Sequence, residues 1–155
     1  MVSVTGRTHV AAPPAAVFDF LDDPYNHVAI TPSLARVDAI EPLDNGGKRA
    51  AFTYRILGLP VGGELHQRRH DPHDRMVFDL RGQLTGEIDL QLAPDGDGTR
   101  VTYAAEYDIP WGPLGRLLAP LVRWYNKREV RQLLTNLRAE FGTDERARAG
   151  GGQRR

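Results

Sequence analysis

Val10-Ala11-Ala12-Pro13-Pro14-Ala15-Ala16-Val17-Phe18-Asp19-Phe20-Leu21-Asp22-Asp23-Pro24 is the stretch whose reading decides how the chain is built. Proline has no backbone N–H, and the first turn of a helix is where that donor would lack a partner anyway. Pro13-Pro14 therefore stops what precedes it and opens a short helix over Ala15 to Leu21, burying Val17, Phe18 and Leu21. Asp22-Asp23-Pro24 ends that helix and caps a second short one over Tyr25 to Ile30, which Pro32 closes. The two aspartates read as helix end and cap rather than as a reactive acid pair. Upstream, Val2, Val4, Thr8 and Val10 alternate with Ser3, Thr5, Arg7 and His9, the period of a half-buried strand.

Downstream the period is again two. Strands are predicted near 34–41, 48–57, 61–71, 75–82, 85–93 and 99–108. Asp44-Asn45-Gly46-Gly47, Asp71-Pro72-His73-Asp74 and Asp95-Gly96-Asp97-Gly98 are turn sequences between them. Strands joined by such short loops run antiparallel, and the first strand makes seven. From Trp111-Gly112-Pro113 the spacing becomes helical and continues to Phe141. A helix over 113–141 is ~43 Å long, and seven strands span ~29 Å edge to edge, so it reaches across the whole sheet. Pro120 should kink it or split off its first turns. Gly142 to Arg155, with Gly150-Gly151-Gly152, reads as a disordered tail, leaving one domain over 1–141.

Composition excludes several kinds of chemistry. With no cysteine among 155 residues, there is no disulfide, zinc thiolate, iron–sulfur cluster or cysteine nucleophile. Twenty acidic and twenty basic residues give zero formal charge, which argues against a dedicated DNA-binding protein. No apolar run approaches the ~20 residues of a membrane span, and the start lacks a secretory pattern, so a cytoplasmic location is expected. His66 and His70 share a face of one predicted strand but lie ~13 Å apart along it, too far to chelate one metal ion. No Gly-rich loop opens a helix as a nucleotide cradle requires. The expectation is no metal and no cofactor.

Alternation assigns the strand faces. Phe52, Tyr54 and Ile56 point inward, as do Met76, Phe78 and Leu80, then Ile88, Leu90 and Leu92, then Val101, Tyr103, Ala105 and Tyr107. The strand over 61–71 is the exception. Val61 and Leu65 set an inward phase that also takes Gln67 and Arg69, and the opposite phase holds Glu64, His66, Arg68 and His70. A bulge at Gly62-Gly63 would reverse this and bring Glu64 and His66 inside. The C-terminal helix carries Arg116, Arg123, Lys127, Arg131 and Arg138 in one narrow sector, read as a solvated face or a docking stripe. Leu117, Leu121 and Tyr125 lie near its start.

Three stretches resemble the START-like superfamily, the polyketide cyclase/dehydrase and lipid-transport group. Val10 to Pro24 looks like its opening strand, Pro-led helix and Asp-Pro break, Gly98-Thr99-Arg100-Val101-Thr102-Tyr103 like its last strand, and Leu133 to Phe141 like its helix end. The resemblance covers about residues 2–141. It implies an α+β helix-grip fold: a curved, seven-stranded antiparallel sheet, two short helices after the first strand and one long C-terminal helix. A curved sheet cannot pack flat on one rod, so a space is left between them. The expected function is binding or carrying a hydrophobic small molecule there (a lipid, an isoprenoid quinone or a polyketide-like ring). The residues expected to line it are Phe52, Tyr54, Gln67, Arg69, Phe78, Leu90, Tyr103, Tyr107, Leu117, Leu121 and Tyr125. The alternatives are a cyclase or dehydratase working through Glu64, His66 or Arg69, and an interaction module. The module would use the basic helix face, on a membrane surface, a protein or an RNA.

Overall fold

A computed structural model describes the backbone of residues 2–108 and 111–153, with side chains described as far as Gly142. The elements follow the order β1 (Val2–Val10), α1 (Pro14–Asp22), α2 (Pro24–Ile30), β2 (Leu34–Pro42), β3 (Lys48–Ile56), β4 (Leu59–Asp71), β5 (Arg75–Gly82), β6 (Thr85–Asp95) and β7 (Gly98–Asp108). Two helices follow, α3 (Gly112–Leu117) and α4 (Ala119–Gln153). The tail expected over 142–155 lies, beyond Gly142, outside the residues whose side chains are described.

Local rules account for the first elements. Pro14 opens α1, and the Asp23 carboxylate accepts from Tyr25 N–H at 3.0 Å to cap α2. The strands form one antiparallel sheet in the order β1-β7-β6-β5-β4-β3-β2, so β1 and β2 are its edges. In β4 the register with β5 slips between Gln67 and Arg69. One extra residue there reverses the facing of everything beyond it. Gln67 pairs across from Phe78 and stays inward, Arg69 pairs across from Val77 and turns outward, and His70 pairs across from Met76 and turns inward.

The kink expected at Pro120 falls two residues earlier. α3 ends at Leu117 with Leu118 as its cap, and Pro120 stands in the first turn of α4, where its missing N–H is harmless. The break rotates the inward face. Val122 and Asn126 are buried, whereas Leu117 is 76 % exposed and Leu121 46 %.

The buried side chains fall into two clusters. One joins β1, α1, β5, β6 and β7 to Val130, Leu133, Leu134 and Leu137 of α4. The other lies over β2, β3, β4 and β5, with Leu34, Val37, Phe52, Ile56, Val61 and Leu80, and contains none of the described side chains of α4. Ile88 and Tyr107 pack against both. The outer face is polar: Arg68 bridges Asp79 at 3.1 Å and Glu87 at 2.7 Å, and Arg75 pairs with Asp89.

Gly63 tests the close strand packing. A Cβ there would sit 2.3 Å from the Arg81 carbonyl oxygen and 2.8 Å from the Phe52 ring, whereas one on Gly62 would meet nothing nearer than 3.6 Å. Gly63→Ala is expected to cost about 1–3 kcal/mol, read as a lower urea midpoint, with Gly62→Ala close to neutral. Equal midpoints for the two variants would contradict this packing.

Candidate ligand site between the sheet and the long helix

The two clusters leave a hollow between them, divided into two small chambers. The first has a volume of about 50 Å³ and the second about 40 Å³. Thr31, Tyr54, Leu80, Ile88, Tyr103 and Leu133 line both, so these side chains form the shared wall. Each chamber has room for a few waters. A drug-sized guest needs a pocket of ~300 Å³ or more, so the wall must move before one enters.

The first chamber is walled by Leu21, Leu34, Val37, Leu65, Phe78 and Leu90, with Asp22, His27, Lys48 and Gln67 as its polar members. Asp22 holds His70 Nε2 at 2.9 Å, and Lys48 Nζ lies 3.5 Å from its other carboxylate oxygen. His27 bonds through Nε2 to the Leu21 carbonyl, and burial lowers its pKa below the ordinary value of 6.5. The ring is then neutral and donates that proton. Gln67 is only 2 % exposed. Its Oε1 accepts from Lys48 N–H at 3.0 Å, and its Nε2 is buried with no partner. An unmet buried donor costs about 1–3 kcal/mol.

The second chamber is aromatic and hydroxyl-rich, with Tyr54, Tyr103, Tyr107 and Tyr125 beside Ser33, Asn126 and Glu129. Glu129 Oε1 accepts from Ser33 N–H at 2.6 Å, and Tyr125 OH donates to the Arg55 carbonyl at 3.1 Å. Burial, helped by the Glu129 charge, pushes Tyr54 up to about 12, and burial also raises Tyr103 and Tyr107. These phenols stay protonated near neutral pH, so each keeps an O–H that can donate.

Of the residues expected to line the hollow, Tyr54, Gln67, Phe78, Leu90, Tyr103, Tyr107 and Tyr125 do so. Phe52 stands behind Tyr54, ring to ring at 5.4 Å. Leu117 and Leu121 are exposed because of the break at Leu118. Arg69 is on the outer face, paired with Asp71. Glu64 pairs with Arg49 at 3.0 Å on that same face, and His66 pairs across from Asp79. None of Glu64, His66 and Arg69 lines either chamber. The bulge also puts His66 and His70 on opposite faces. Arg116, Arg123, Lys127, Arg131 and Arg138 lie on α3 and α4, outside both chambers. Lys127, Arg131 and Arg138 flank a separate open groove of about 500 Å³ against β1. The polar lining residues that the sequence did not reveal are Asp22, His27, Asn126 and Glu129, which sit on helices α1, α2 and α4, as well as Thr31 and Ser33 between α2 and β2 and Lys48 at the start of β3.

A curved antiparallel sheet gripping a long helix around an internal hollow defines the START-like class. The chain belongs to the polyketide cyclase/dehydrase and lipid transport family, whose model matches residues 1–142. Solved structures of similar fold include the Zhui aromatase/cyclase from a Streptomyces species, with a TM-score of 0.75 and 16 % identity over 96 % of this chain and 97 % of that one. The protein TTHA0849 from Thermus thermophilus has a TM-score of 0.73 and 24 % identity over 92 % and 98 %. A START superfamily protein from Mycobacterium smegmatis has a TM-score of 0.73 and 14 % identity over 91 % and 97 %. At these identities the likeness establishes the fold alone. No curated protein matches the sequence.

His27 yields a pH prediction. Its depressed pKa means the folded chain binds this proton less tightly than the unfolded chain does. The stability it supports is complete above about pH 6.5 and falls as pH drops below that value. Urea midpoints of wild type and His27→Gln, measured between about pH 7 and 5, should show wild type losing stability faster on acidification. Parallel curves would refute the assignment.

Proposed function

We propose that the chain binds and carries a hydrophobic small molecule in the hollow between the sheet and α4. The observation that carries this reading is the hollow itself: two apolar-walled chambers that share a wall of Thr31, Tyr54, Leu80, Ile88, Tyr103 and Leu133. Burying about 200 Å² of a guest's apolar surface there would contribute ~5 kcal/mol. Both activities in the family's description, polyketide cyclisation or dehydration and lipid transport, handle such a molecule.

Glu129 favours a second reading, a cyclase or dehydratase. A carboxylate held by a backbone N–H among neutral tyrosine hydroxyls supplies a base and carbonyl-polarising donors. Glu129→Gln separates the two readings, because a carrier keeps its affinity and an enzyme of this kind loses turnover of a β-keto substrate.

The carrier reading is tested by filling the hollow. Ile88→Trp places a large ring in the shared wall. Wild type should bind the neutral lipophilic dye Nile red, and Ile88→Trp should bind it about tenfold or more weakly, a loss of ~1.4 kcal/mol, with an unchanged circular dichroism spectrum. Equal affinity in the two proteins, or no uptake by wild type, would overturn it.

A further inference from the structure

We infer that Gln67 selects the guest: its free amide hydrogen is a built donor for a neutral carbonyl-type oxygen on an otherwise hydrophobic molecule. The inference rests on the carrier reading and adds what chemistry the guest must bring.

Four features hold this amide in place. The β4 bulge begins just after Gln67, so its side chain is the last in the inward phase before the strand turns over. Asn45, in the β2–β3 turn, donates from Nδ2 to the Gln67 carbonyl at 2.9 Å and accepts from Gly47 N–H at 2.8 Å. Gly47 leaves room, because a Cβ there would lie 2.8 Å from Gln67 Oε1. Lys48 N–H donates to that same oxygen. This last bond fixes which end of the amide is which: the oxygen faces a donor, so Nε2 is the end left over.

Nε2 is sealed from solvent and has no acceptor, yet Gln67 lines the first chamber. A position that served packing alone would be better filled by an apolar side chain of similar size. The donor has a use if the guest that widens the hollow brings an oxygen to it.

The surroundings favour an uncharged acceptor. The Asp22 carboxylate already holds both Lys48 Nζ and His70 Nε2, and His27 is neutral. A carboxylate or phosphate entering here would meet the Asp22 carboxylate and compete with it for the same two partners. The class is therefore a ketone, ester, amide or quinone carbonyl on an apolar frame, not a fatty acid inserted head first.

Three probes that share one ring system test this: tetralin, 1-tetralone and tetrahydro-2-naphthoate. Wild type should bind 1-tetralone about tenfold more tightly than tetralin and bind the carboxylate no more tightly than tetralin. Gln67→Leu should erase the preference for the ketone and keep affinity for tetralin. If that variant does not fold, the Gln67 side-chain amide proton of wild type gives the same answer by NMR, shifting with 1-tetralone and not with tetralin. Equal binding of tetralin and 1-tetralone by wild type, tighter binding of the carboxylate than of tetralin, or a ketone preference that survives Gln67→Leu, overturns the inference and leaves the carrier reading standing. Failure of wild type to bind either neutral ring overturns both.

Discussion

One helix packed across one curved sheet cannot bury both ends of that sheet equally, and the rest of the molecule follows from this. α4 sends Val130, Leu133, Leu134 and Leu137 into the cluster at the β1 and β7 side. At the β2 and β3 side no described residue of α4 joins the apolar cluster, and the helix meets that side through polar contacts, Tyr125 OH to the Arg55 carbonyl and Glu129 to Ser33 N–H. Tyrosines fill part of the interval, because a phenol can pack its ring and keep its hydroxyl on a polar group. The result is a core in two pieces with small chambers at the join, a place where added apolar surface has somewhere to go.

Much of this was legible in the sequence. The Pro-led helices, the seven strands and the inward sets of β3, β5, β6 and β7 all follow from periods and turn residues, and the structure has them within a few residues. The β4 strand was not legible for a physical reason. Gln67-Arg68-Arg69-His70 is polar throughout, so alternation carries no phase through it, and the bulge that turns Arg69 out and His70 in leaves no mark on the pattern. α4 misled in another way. The break at Leu118 resets the helical phase, so Leu117 and Leu121 belong to a different face from Val122 and Asn126. The helical side chains of Asp22, His27 and Glu129 reach the hollow through tertiary packing, which strand periodicity cannot report.

The two chambers differ in what they offer. The first ends in Asp22, held by Lys48 and His70, next to the unmet Gln67 amide. The second presents phenol hydroxyls and one carboxylate. A molecule lying across both would have an apolar middle against Leu80, Ile88 and Leu133 and polar contacts toward each end. That arrangement suits holding an oxygenated lipophile, and the Glu129 end also suits chemistry on it. The cations of the α4 stripe and the outer-face ion pairs are remote from this line, and exposed pairs contribute little to stability.

The most direct test is a methyl NMR titration of the protein with 1-tetralone, with Leu, Ile and Val methyl groups labelled. The account predicts that shifts concentrate on Leu80, Ile88 and Leu133, the aliphatic side chains common to both chambers. Shifts confined to the exposed Leu114, Leu117 and Leu121 would place the molecule on the helix surface and contradict an internal site.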